Sequence, residues 1–243
     1  MDSSAVALSS VIAAERRLTT IASNIANART VGFRASEVRF EEVIQRVQTQ
    51  SGPESVAFAS QGEEYMDTEP GGLERTGGPL DFAIRGDAWF ALQTPEGVAV
   101  TRDGRFSILP NGDVVSLSGH AVLDPGGAPL VVDPEGGPLR MGADGFLRQD
   151  GQQIGAFGLY AFEPKADFVR HADSGILVGA LPEPVVDEAD VTIVQGFVEQ
   201  SNVDPVLEIT KLITVQRSFD YSNAMVNATA ESRKKLIDAL HAR

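Results

Sequence analysis

Residues 202–240, NVDPVLEITKLITVQRSFDYSNAMVNATAESRKKLIDAL, decide how the chain is read. Asn202 or Asp204 can cap a helix, and Pro205 suits its first turn, where a missing N–H costs nothing. Beyond Pro205 neither Gly nor Pro interrupts the stretch. Steps of three and four pick out Ile209, Leu212, Gln216, Phe219, Asn223, Val226, Ala230, Arg233, Ile237 and Leu240. Such 3.5-residue spacing draws a narrow coiled-coil seam rather than a broad globular face. At about 1.5 Å per residue the helix is a rod of roughly 50 Å, and a rod of that length is stable only against a partner.

The partner stands at the other end. Residues 3–28 also lack Gly and Pro, and Ala7, Val11, Ala14, Leu18, Ile21, Ile25 and Ala28 fall on steps of four and three. Leu8, Ile12 and Ala22 widen that stripe, and its small residues allow close approach. An ordinary amphipathic helix on a globular core would use the same residues, but two such seams at opposite ends of one chain favour a terminal helix pair. The first helix should stop near Gly32, which can take the left-handed conformation, with Phe33 packing back on its last turn. Asn24 and Asn27 fall in that turn, where Asn is a poor helix former but a good partner for backbone groups.

Between the helices the texture changes. Residues 34–50 read as a short helix or strand, and residues 51–78, rich in Gly, Pro, Ser and Glu, as an extended linker. After residue 79 short apolar runs alternate with Gly, Pro, Asp and Asn. Leu80, Phe82 and Ile84 alternate with Asp81, Ala83 and Arg85, as in a half-buried strand. Pro110-Asn111-Gly112-Asp113 and Asp103-Gly104 read as hairpin turns. The expected fold is mixed α and β: long N- and C-terminal helices paired as a coiled-coil-like core, an extended linker, and a central all-β, mainly antiparallel domain. The expected boundaries are residues 1–34 with 202–243 for a discontinuous helical assembly domain, 35–78 for the linker and 79–201 for the β domain.

Charge follows the same division. Residues 1–50 and 201–243 each carry six basic and five acidic groups, a balance of +1. Residues 51–200 carry eight and twenty-four, a balance of −16. So acidic a middle repels nucleic acid. The chain has no Cys, which excludes disulfides and thiolate metal sites. It shows no apolar run long enough to span a bilayer and no basic, apolar and small-residue series of a cleaved signal peptide.

Catalytic, cofactor-binding and metal-binding residues are all expected to be absent. His120, His171 and His241 show no ligand spacing, and no GxSxG, GxGxxG or P-loop occurs. Acidic pairs such as Glu63-Glu64 and Asp187-Glu188 lie in linker-like segments. They leave open a rival reading, a secreted glycan hydrolase using carboxylates. A soluble binding module whose helices cap its own β domain is a third.

The motifs carry a resemblance. Ala22-Ser23-Asn24-Ile25-Ala26-Asn27-Ala28-Arg29-Thr30-Val31-Gly32-Phe33-Arg34 resembles the N-terminal signature of flagellar rod and hook proteins. Thr76 to Phe90, with Leu80-Asp81, Ala83-Ile84 and Trp89-Phe90, resembles the family's middle segment, as does Thr101-Arg102-Asp103-Gly104-Arg105-Phe106. Gln200-Ser201-Asn202-Val203-Asp204-Pro205 and Val215-Gln216-Arg217-Ser218-Phe219-Asp220 are similar to the start and core of its C-terminal helix. The short length and Gln93-Thr94-Pro95-Glu96-Gly97 look most like the proximal-rod branch, with the distal-rod branch as the alternative. Ala88, Val100 and Val31 depart from the usual residues.

The resemblance implies a structural subunit of the flagellar basal body, within a tubular rod that spans the periplasm. It implies export through the flagellar type III apparatus without cleavage. The implied partners are copies of the chain and other proximal- and distal-rod proteins, with neither nucleic acid nor membrane insertion. The assembly interface is expected at Ala7, Val11, Ala14, Leu18, Ile21, Asn24, Ile25, Asn27, Ala28, Gly32 and Phe33. Its C-terminal half is expected at Asn202, Pro205, Ile209, Leu212, Gln216, Arg217, Phe219, Asn223, Val226, Ile237 and Leu240.

Overall fold

The computed structural model describes residues 3–40, 42–49, 52–59, 62–142, 144–185 and 190–241. The chain divides into two units, each built from separated stretches.

The first unit takes residues 1–26, 36–66 and 204–243. It holds helix α1 (Ser3–Ala26), strands β1 (Ser36–Arg39), β2 (Glu42–Thr49), β3 (Gly52–Ala59) and β4 (Glu63–Met66), and helix α2 (Pro205–His241). β1 pairs antiparallel with β4 from Ser36↔Met66 to Arg39↔Glu63. β2 pairs with β3 over eight positions, Glu42↔Ala59 to Thr49↔Gly52. α2 starts where a cap and Pro205 stand together: Asp204 Oδ1 accepts the amides of Val206 at 2.9 Å and Leu207 at 3.1 Å.

Two expectations are corrected here. Residues 36–66 form two antiparallel ribbons where an extended linker was expected. The helices are not a coiled-coil-like core either. α1 touches α2 but also β1 and β3, so its buried face is shared. α2 has 37 residues against 24 in α1, so the two helices are unequal in length. Of the expected α2 seam, Ile209 and Gln216 are exposed, while among the described side chains of α2 the buried one is Glu208. A seam at 3.5-residue spacing needs a continuous apolar stripe on both helices; here a carboxylate interrupts it and strands compete for α1.

The second unit takes residues 27–35 and 67–203. Its main sheet runs β16 (Val169–Arg170), β17 (Ile176–Val178), β8 (Gly97–Thr101), β7 (Trp89–Thr94), β11 (Ala121–Val122), β10 (Val114–Ser116) and β9 (Phe106–Ile108), with β15 (Leu159–Tyr160) also on β7. A three-stranded sheet joins β12 (Arg140–Met141), β13 (Leu147–Gln149) and β14 (Gln152–Gly155). Two pairs complete it: β6 (Phe82–Arg85) with β18 (Thr192–Gln195), and β5 (Leu73–Arg75) with β19 (Phe197–Glu199).

All of these pairings are antiparallel. The core gathers Phe82, Phe90, Phe106 and Phe157 with Leu92, Val114, Val122 and Leu147. The Phe82 and Phe157 rings meet edge to face at 4.7 Å, the geometry that ring quadrupoles favour. Asn111-Gly112 makes the turn from β9 to β10, with Gly112 at φ +91°. Asp103-Gly104 does not make a hairpin, since β8 and β9 do not pair. Gly104 is there for close approach: a Cβ would lie 1.7 Å from the Phe82 carbonyl oxygen.

Candidate functional site

Four sequence motifs that lie far apart meet inside the second unit. Thr30 donates its hydroxyl to Asn27 Oδ1 at 3.1 Å, closing the turn after α1. The Gly32 amide donates to the Glu199 carbonyl at 2.7 Å. Gly32 sits at φ +70°, and a Cβ would be 2.3 Å from the Asp103 nitrogen, so only glycine fits. Phe33 is buried beneath the Arg170 guanidinium, 4.2 Å from its ring centroid. Arg170 also donates to the Arg34 carbonyl at 2.7 Å.

Arg34 is the centre of this hub, only 2% exposed. Its Nη1 donates to the carbonyls of Thr68 and Glu69. Its Nη2 lies 2.7 Å from Glu199 Oε1, an ion pair without an aligned hydrogen bond. Glu199, 1% exposed, serves a second cation, with Arg102 Nη1 3.4 Å from its Oε2. Arg102 also donates to the Gly86 carbonyl at 2.8 Å. The guanidiniums of Arg34 and Arg102 lie 5.8 and 5.2 Å from the Trp89 ring. Asn202 closes the circle, accepting the Ala35 amide at 2.7 Å and donating to the Glu69 carbonyl at 2.9 Å.

One buried carboxylate thus faces two buried guanidiniums. Burial lowers the pKa of Arg34, against the opposing pull of Glu199. Burial likewise lowers that of Arg102, to about 10. At neutral pH both stay charged, and carbonyls and the Trp89 face supply what Glu199 alone does not. The arrangement holds chain segments in place; it sets no nucleophile beside a base.

The first unit has its own polar node. Asn24, 2% exposed, donates to the Ser36 carbonyl at 2.9 Å and to Glu208 Oε2 at 3.1 Å, and accepts the Ser36 amide at 2.9 Å. Lys211 Nζ reaches Glu208 at 2.7 Å and Glu37 at 3.6 Å. Burial works against the Lys211 charge, but its bond to Glu208 and the attraction of both carboxylates outweigh it and raise its pKa. A groove of about 390 Å³ lies beside the node, lined by Arg17, Ile21, Val38 and Val215 among others.

The expected interface residues therefore divide. Ala14, Ile21 and Asn24 are buried on α1, with Val11, Leu18 and Ile25 half-buried. Asn27, Ala28, Gly32, Phe33 and Asn202 belong to the hub unit. On α2, Leu212, Phe219, Asn223 and Val226 are half-buried, while Pro205, Ile209, Gln216 and Arg217 are exposed. The side chains of Ala7, Ile237 and Leu240 lie outside the described residues. The hub's Arg34, Arg102 and Glu199 and the node's Glu208 were not anticipated; the one signal was that Arg34 and Arg102 stand inside the motifs.

The second unit holds a buried hub of motif residues, and the first a long helix with many exposed side chains among the described residues. Comparison with known proteins gives the family. Residues 5–34 match the flagella basal body rod protein model, residues 83–149 the flagellar hook protein FlgE/F/G D1 domain, and residues 194–239 the flagellar basal body rod FlgEFG protein C-terminal model. The chain is 53% identical to the flagellar basal-body rod protein FlgF of Mesorhizobium japonicum, over 98% of both chains. It is 46% identical to the FlgF of Rhizobium meliloti over 97% of this chain and 96% of that one. The flagellar basal-body rod protein FlgG of Bacillus subtilis is 28% identical over 92% of this chain and 93% of its own. The chain belongs to the flagellar basal-body rod protein family, on the FlgF side of it, and is a structural subunit of the rod.

Proposed function

We propose that the chain is a proximal-rod subunit. It reaches the periplasm through the flagellar type III export apparatus without a cleaved signal, and assembles through the outer faces of its terminal helices. Its neighbours are copies of itself and other rod proteins. Its greater identity to FlgF than to FlgG relatives supports the proximal place.

One observation carries the assembly surface. α2 extends thirteen residues beyond the length of α1 and exposes Val206 (72%), Ile213 (49%) and Tyr221 (75%), with Leu207, Ile209 and Met225 also exposed. A helix of this length, about 55 Å, with apolar residues on its outer side is stable and soluble only when neighbours cover it. Gln216 and Arg217 on the same exposed side supply polar contacts.

Replacing Ile213 by Asp tests this. A carboxylate at the centre of a packed helix contact costs several kcal/mol. The variant should be secreted and keep a native β unit by circular dichroism, while basal bodies lack a completed rod and cells do not swim. Normal swimming with Ile213→Asp and Tyr221→Asp together would refute the assembly surface.

A further inference from the structure

We propose that a groove beside Arg75 and Arg140 in the second unit docks an acidic, extended segment of a second copy of this chain; the proposal rests on the rod-subunit reading. The groove measures about 380 Å³ and has Pro79, Pro138 and Phe197 in its walls. Residues 67–203 carry twenty-one acidic against eight basic side chains, so a cation there should find a carboxylate. Arg75 and Arg140 are both exposed, and neither has an ion-pair partner among the described residues.

The pairing of β12 with β13 sharpens the point. Arg140 stands directly opposite Arg148, a like-charge pair that destabilises a sheet. Arg148 is neutralised by Asp144, whose carboxylate grips its guanidinium at 2.5 and 2.7 Å. Arg140 is left uncompensated, on the edge of the groove.

The groove is also built. Gln195 donates to the carbonyls of Pro79 at 2.6 Å and Leu139 at 2.8 Å, and accepts the Met141 amide at 3.0 Å. One side chain thus fixes both walls and the strand bearing Arg140. A second hollow of about 340 Å³ shares Pro138 and Arg140 and continues past Arg148. The second hollow is lined by Asp150 as well as by Arg148, so Arg75 and Arg140 are the cations left to receive carboxylates, and two adjoining hollows suit an extended chain rather than a compact ligand.

A copy of this chain meets that description. Its net charge is −14, so a neighbour stacked in a rod brings carboxylates to the groove. A groove on one copy meeting a different segment of the next is a head-to-tail contact, the type that propagates into helical tubes.

Two full-length variants and one cross-linker test the proposal. Arg75→Glu with Arg140→Glu should not lower the melting point of the purified protein but should cut the yield of complete basal bodies, weakening docking on the order of tenfold per reversed charge. Arg75→Lys with Arg140→Lys should assemble nearly normally. A benzoylphenylalanine at Arg140, irradiated in isolated basal bodies, should cross-link to an acidic segment of another copy. Normal basal-body yield with the double reversal, or cross-links only to non-rod molecules or within the same copy, overturns the groove. If the groove fails while Ile213→Asp still abolishes assembly, the rod reading stands without it; if both variants assemble normally, both fall.

Discussion

Replacing Glu199 by Gln keeps the side chain's size and an acceptor for the Gly71 amide, 3.2 Å away, but removes one negative charge from the hub. Among the described residues Arg34 then has no carboxylate within ion-pair reach, and Arg102 keeps only Asp87, 3.9 Å away and 88% exposed. Leaving buried charge uncompensated costs about 3–5 kcal/mol. For a unit of this size each kcal/mol moves the melting point by about 2–4 °C, so the β unit should melt roughly 6–20 °C lower.

Arg102→Met is the control. It leaves Glu199 paired with Arg34 at 2.7 Å and strands the Gly86 carbonyl, a loss of about 1–3 kcal/mol. The ranking should hold at any pH from 6 to 9. Burial holds Arg102 near 10, well below the ordinary guanidinium range, so the folded chain releases that proton first. Between the two the unfolded chain binds more protons and the Arg102 contribution rises with pH; below about 9 it is constant. Calorimetry of the purified full-length protein decides. A Glu199→Gln melting point within about 2 °C of the wild type, or a larger loss from Arg102→Met, would refute the account of the hub.

Three further outcomes are expected. Gly32→Ala should destabilise the second unit by more than about 3 kcal/mol, since its Cβ would be 2.3 Å from the Asp103 nitrogen at φ +70°; unchanged urea unfolding would contradict this. Asn24→Ala should cost the first unit about 1–3 kcal/mol by removing its bonds to both backbone groups of Ser36. Hydrogen exchange at the Ser36 amide should quicken accordingly. The Asp144 carboxyl is held near 2 by its bond to Arg148, against an ordinary 3.8. Its contribution to stability is therefore complete above 3.8 and disappears as pH falls through about 2. Arg148→Gln should bring the titration seen by NMR back toward the ordinary carboxylate range.

What could be read from the sequence was local. The Asp204-Pro205 start of α2, the two unbroken helical runs and the Asn111-Gly112 turn each declare themselves within a few residues, and the strand expected over Leu80–Arg85 forms at Phe82–Arg85, with Ala83 buried rather than on an exposed face. What could not be read was decided by distant partners. Gly, Pro and Ser in residues 51–78 signal loop, yet Ser36 pairs with Met66 and Glu42 with Ala59. The coiled-coil expectation treated two seams as if only they were available to each other, whereas α1 also meets strands and Glu208 takes a buried α2 position. Asp103-Gly104 read as a turn because glycine in sequence does not say whether it serves a left-handed residue or a close approach. Arg34, Arg102 and Glu199 were missed for a plainer reason: charged residues are expected at the surface, and Glu199 meets Arg34 and Arg102 across 165 and 97 positions.

The placement of the motifs changes what they report. Gly32, Phe33 and Arg34 of the N-terminal signature are buried, as are Arg102 and Asp103 of the middle one. Asn202, opening the C-terminal one, spends its amide on Ala35 and Glu69. These residues are occupied within one chain, so their identity is set by the folding of the second unit. The large exposed apolar residues of α2, Val206, Leu207, Ile209, Ile213, Tyr221 and Met225, lie outside the residues quoted for those motifs. Stability and assembly therefore separate by position. A change at the hub lowers the melting point of the monomer before any neighbour is present, because an uncompensated charge or a clash is left inside it. A change on the outer face of α2 replaces one solvated side chain by another in the monomer; under the assembly surface proposed above, its effect should be felt only when a neighbouring subunit covers it.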